Sequence, residues 1–124
     1  MNRLYTLLLV VLMVGMLVPA FAFDEVGFAK VLQTAANADE YLFSLMEPGL
    51  SKTSPEFQSA LAAQKQSRTA LGNEITALET RTELEQALVV AKAFAASSGA
   101  AREIGRLAES LINSRLQFVA AHQY

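Results

Sequence analysis

The stretch ITALETRTELE, residues 75–85, decides the architecture of this chain of 124 residues. Upstream of it Phe57, Ala60, Leu61 and Leu71 share one helical face with Ile75 and Leu78. If the helix ran on unbroken, Leu84, Leu88, Ala91 and Ala95 would fall on nearly the opposite side. Either the chain bends near Thr80 to Thr82, or one long helix offers two faces to two partners. Thr82-Glu83-Leu84-Glu85 has the S/T-x-x-E form of a capping box and predicts a new start there. One reading gives three helices and the other four.

The flanking segments are plainer. Ser54 is a suitable N-cap, and Pro55 takes the first helical position, where its missing donor costs nothing. A helix is therefore predicted over about 55–80, weakened modestly by Gly72. Before it, Phe28, Val31, Leu32, Ala35, Leu42, Phe43 and Met46 gather on one face, opposite Lys30, Gln33, Asn37, Glu40 and Ser44. That predicts a first helix over about 24–46, stopped by Pro48-Gly49. Downstream, a helix over 83–97 ends at Ser97-Ser98-Gly99. A final stripe of Ile104, Leu107, Ala108, Leu111, Ile112, Phe118 and Val119 predicts a helix over 100–121. Strands are hard to place, because β-branched residues and prolines are sparse past residue 22. The expected fold is all-α, a small antiparallel bundle of three or four helices.

Residues 1–22 read differently. Arg3 supplies a short positive start, Leu4 to Val18 an apolar centre, and Pro19-Ala20-Phe21-Ala22 a turn with the A-x-A cleavage pattern. This is the layout of a secretory signal peptide, cut after Ala22 to leave a bundle domain over 23–124. The alternative is an uncleaved anchor, since Leu4 to Phe23 is uncharged and could just span a hydrocarbon core. Pro19 and the small residues beside it argue for cleavage. The expected location is outside the cytoplasm, periplasmic or secreted, with membrane contact only through the leader if it is kept.

Composition narrows the function. Past the leader, nine basic groups face twelve acidic ones, a net charge of −3. Lys and Arg are scattered and do not alternate with aromatics, so nucleic acid is not an expected partner. The absence of cysteine excludes thiol redox chemistry and thiolate metal sites. A haem held by Met46 and His122 is disfavoured, because His122 is the third residue from the end and Met46 lies on an apolar stripe. No Glu-x-x-His pair suits a carboxylate metal site in a bundle, and no serine has a plausible base. We therefore expect no enzyme activity, no cofactor and no metal.

The residues that stand out are polar ones near the middle of apolar stripes: Asp39, Gln64, Arg68 and Arg115. In an antiparallel hairpin about residues 47–53, Asp39 falls level with Gln64 and within one turn of Arg68. Such a layer either fixes helix register through a carboxylate–guanidinium pair or forms a polar binding site. Arg115 joins it only if the last helix runs parallel to the first, as in a three-helix bundle. In a four-helix bundle it falls about two turns lower. The expected function is non-enzymatic protein–protein binding or self-association, of the inhibitor, immunity, chaperone or assembly-subunit kind. The competing expectation is a small-ligand carrier that uses Asp39, Gln64 and Arg68. A carrier should enclose a cavity, whereas a partner-binding protein should expose an apolar strip.

Overall fold

A computed structural model describes residues 23–46 and 52–121 and shows four helices with no strand among them: α1 (Glu25–Met46), α2 (Pro55–Thr76), α3 (Arg81–Ala95) and α4 (Gly99–Ala121). The predicted leader, the Pro48-Gly49 turn and His122 lie outside the described residues. Each start has a local cause. The Asp24 carboxylate accepts the Gly27 N–H at 2.9 Å, and its carbonyl accepts the Phe28 N–H at 3.0 Å. Ser54 is extended (φ −66°, ψ 146°) and its hydroxyl accepts the Phe57 N–H at 3.2 Å, with Pro55 in the first turn.

The chain bends, but earlier than the sequence suggests. α2 stops at Thr76 rather than about residue 80, and Leu78 N–H donates to the Ile75 carbonyl at 3.1 Å to close the turn. The capping box then forms on Thr80, not on Thr82. Thr80 Oγ1 accepts the Glu83 N–H at 3.1 Å, and Glu83 Oε1 accepts the Thr80 N–H at 3.3 Å. Two S/T-x-x-E patterns overlap in this stretch, two residues apart. With the start at Thr80, Leu78 closes the end of the core and Leu84 enters it from the first turn of α3. Glu85, expected to cap, instead faces Arg81 across one turn at 3.7 Å on the exposed surface. Thr80→Ala is accordingly expected to cost about 1 kcal/mol of stability. Thr82→Ala should stay within about 0.5 kcal/mol. Urea midpoints of the two variants check the assignment, and an equal effect would move the cap back to Thr82.

Packing makes two hairpins, α1–α2 and α3–α4, joined mainly through α1 and α4; the α3–α4 contact is the most extensive. Gly105 makes that closeness feasible, because it lies directly against the α3 backbone at Ala91, Phe94 and Ala95. The turn between these helices needs Gly99, whose φ of +62° is the left-handed conformation that glycine adopts without strain. The main core contains Phe28, Leu32 and Ala35 of α1, Leu71 and Ile75 of α2, Leu84, Val90 and Phe94 of α3, and Ile104, Ala108 and Ile112 of α4.

Helix length then shapes the surface. α1 and α2 have 22 residues each and α3 has 15, so at 1.5 Å per residue α3 is about 10 Å shorter and the first hairpin overhangs it. The overhang carries its own small apolar cluster of Leu42, Phe57 and Ala60, with Leu45 and Leu61 against it. Phe43 and Met46, predicted to lie on the buried stripe of the first helix, are 68 % and 51 % exposed. The reason is the short α3: past Ala36 the face of α1 has no second hairpin to cover it.

Candidate functional site

The step between the overhang and the α3–α4 turn is an open trough of about 920 Å³. α1 supplies Ala36, Asp39, Leu42, Phe43 and Met46, α2 supplies Gln64 and Arg68, and Ser97 to Glu103 form the facing wall. The start of α4 thus lies beside the end of α1, so these two helices run antiparallel.

Three of the four polar residues singled out in the sequence meet in this trough. Arg68 Nη2 donates to Asp39 Oδ2 at 2.8 Å, and Gln64 Nε2 donates to Asp39 Oδ1 at 3.1 Å. Both carboxylate oxygens are therefore occupied from α2. The Asp39 side chain is only 12 % exposed whereas that of Arg68 is 44 % exposed, so the pair sits half in water. The layer falls between the main core, which ends at Ala36 and Leu71, and the satellite cluster that begins at Leu42 and Phe57. A slip of α1 along α2 by one turn would break both bonds and misalign both clusters. Because the pair is partly solvated, Asp39→Ala is expected to cost on the order of 1 kcal/mol, not the several that a fully buried pair would. A thermal melt unchanged by this substitution would remove the layer's part in setting register.

Arg115 does not join the layer. α4 runs opposite to α1, which places Arg115 against the last turns of α2, beside Gly72, Ile75 and Thr76 in a separate, shallower depression. Its guanidinium carbon lies 5.0 Å from the centre of the Phe118 ring, a cation–π distance, while its Nε is buried without a hydrogen-bond acceptor. Leu111 and Phe118, predicted for the buried stripe of the last helix, line the same depression and are 37 % and 50 % exposed.

The wall formed by Ser97 to Glu103 has a signal in the sequence, since Gly105 and the small residues from Ala91 to Ala101 allow close approach within the fold or to another subunit, but nothing local sets it opposite Asp39. Among the described residues, no three His, Cys, Asp or Glu side chains are grouped as a metal ion would need. No helix among them is long and apolar enough to cross a membrane.

Fold and site together define a class: a four-helix, two-hairpin bundle whose unequal helices leave an open trough with Phe43 and Met46 exposed at its rim and an Asp39–Arg68 pair within it. Comparison with family models, with curated proteins and with solved structures found no match for the chain.

Proposed function

We propose that this is an exported, non-enzymatic binding protein that holds a segment of another polypeptide in the trough between α1 and the α3–α4 turn. The observation that carries the reading is the exposure of Phe43 and Met46 side by side on the trough's rim, next to small residues at Ser97 to Ala101. Large apolar side chains left in water beside a concavity gain free energy when a partner covers them, by roughly 25 cal/mol per Å². The small residues opposite allow a partner helix or strand to approach the backbone. Export follows from the leader read at residues 1–22.

A small-ligand carrier is the second reading, favoured by the position of Asp39, Gln64 and Arg68 inside the same trough. Two features weigh against it. The trough is open to solvent, where a carrier encloses most of its ligand. The Asp39 carboxylate is also held by Arg68 and Gln64, so a ligand would have to break that pair before using it.

A photoreactive residue placed at position 43 separates these readings when the protein is expressed in its native compartment. Partner binding predicts one discrete adduct of higher mass from position 43 and none from position 89, where Val89 is 60 % exposed on α3. An adduct of twice the chain's mass would identify self-association. Equal labelling at both positions would overturn the assignment of the trough. Native mass spectrometry that finds a retained small molecule lost on Arg68→Ala would favour the carrier instead.

A further inference from the structure

Among the described residues, Arg115 Nε is the only buried side-chain donor nitrogen without an acceptor. A guanidinium is always charged, and an unmet N–H on a charged group is among the costlier defects a fold can carry. The described surroundings do not relieve it. Three and four residues away on α4 stand Leu111, Ile112, Phe118 and Val119, and the facing wall of α2 is Thr69, Gly72, Asn73, Ile75 and Thr76. No carboxylate is among them. The Phe118 ring lies 5.0 Å from the guanidinium carbon, but that contact acts through the ring's quadrupole and supplies no oxygen acceptor.

We propose that the depression between α2 and α4 binds a small carboxylate carried on an apolar body, with Arg115 as the group that recognises it. The site is separate from the trough and lies toward the other end of α4. A carboxylate matches the N–H edge of a guanidinium with two parallel hydrogen bonds, so one ligand group supplies both the missing acceptor and the missing countercharge. Water would supply only the acceptor.

Three further features fit that ligand. The depression measures about 550 Å³, the size of a small-ligand site. Its space comes from Gly72: nothing lies within 4 Å of a Cβ built there, so an apolar body can rest against the α2 backbone beside the partly exposed Leu111 and Phe118. Covering those two side chains gains free energy that a bare inorganic anion would not. Thr69 and Thr76 spend their hydroxyl protons on the Lys65 and Gly72 carbonyls at 2.9 and 2.8 Å, which leaves Asn73 and Ser114 as the neutral side-chain donors in the depression.

Titration of the isotope-labelled protein with phenylbutyrate, followed by NMR, tests the site. Saturable shifts are expected in α2 at residues 72–76 and in α4 at residues 111–118, and not at Ser97 to Glu103. Phenylbutyramide, of the same shape without the charge, should bind about tenfold more weakly or worse, and Arg115→Gln should cost the acid a similar factor. Arg115→Lys keeps the charge and loses the fork, so it should restore only part of the affinity. Gly72→Leu should abolish binding by filling the space. It should also melt as high as the parent or higher, because leucine is the better helix former, so its loss of binding is not a loss of fold. No saturable shift up to on the order of 10 mM phenylbutyrate, above the millimolar affinity expected of a ligand this size, overturns the proposal. So does equal binding of acid and amide, or an Arg115→Gln variant that binds as the parent does.

Discussion

Gly105→Ala is expected to destabilise the bundle by about 3 kcal/mol or more, although alanine is the better helix former. A Cβ at this position would lie 2.2 Å from the Ala95 nitrogen, 2.7 Å from the Phe94 carbonyl carbon and 2.8 Å from the Ala91 oxygen. Overpacking against side chains costs about 1–3 kcal/mol because they can turn aside. Here the obstacles are backbone atoms of α3, so α3 and α4 must separate along their most extensive contact. The gain in helix propensity, about 1 kcal/mol, does not offset that. Gly72→Ala is the control of opposite sign. Nothing lies within 4 Å of a Cβ built there, so it should raise stability by up to about 1 kcal/mol. Urea denaturation of both variants decides the matter, and a Gly105→Ala midpoint equal to the parent's would show that the helices do not approach this closely.

Leu84→Ala should be comparably damaging, at about 2–5 kcal/mol, because Leu84 is fully buried and its removal leaves a cavity that the surrounding helices fill only in part. Val89→Ala, on the exposed side of the same helix at 60 % exposure, should stay within about 0.5 kcal/mol. The contrast tests the bend between α2 and α3. Were residues 55–97 one helix, the face bearing Leu84 would point away from the core that receives Leu71. Similar costs for the two substitutions would argue for that arrangement. With total stabilities of about 5–15 kcal/mol typical of a domain this size, either Gly105→Ala or Leu84→Ala removes a large share of the total at the lower end of that range.

Much of the fold was legible because its causes are local. Ser54-Pro55 offers an N-cap followed by a first-turn proline, and apolar spacing of three to four residues marks the face that needs cover. The level of Asp39 against Gln64 and Arg68 followed from helical rise alone once a hairpin was assumed. Two local signals misled for a physical reason. Thr80-x-x-Glu83 and Thr82-x-x-Glu85 offer the same reciprocal hydrogen bonds, and nothing nearby in sequence ranks one above the other. Arg115 was placed conditionally, since its neighbours depend on whether α4 runs with or against α1.

The sequence by itself determined that the chain is helical, where α1 and α2 begin, which faces are apolar, and that Asp39 can meet Arg68. Only the tertiary structure decided that there are four helices, which threonine caps α3, that Arg115 lies against Phe118 rather than Asp39, and that Phe43 and Met46 stay in water. Periodicity records which side chains are oily, and hydrogen-bonding groups record where a helix can start. Whether an oily side chain is covered depends on how far the neighbouring helix extends, and α3 is too short to reach the end of α1.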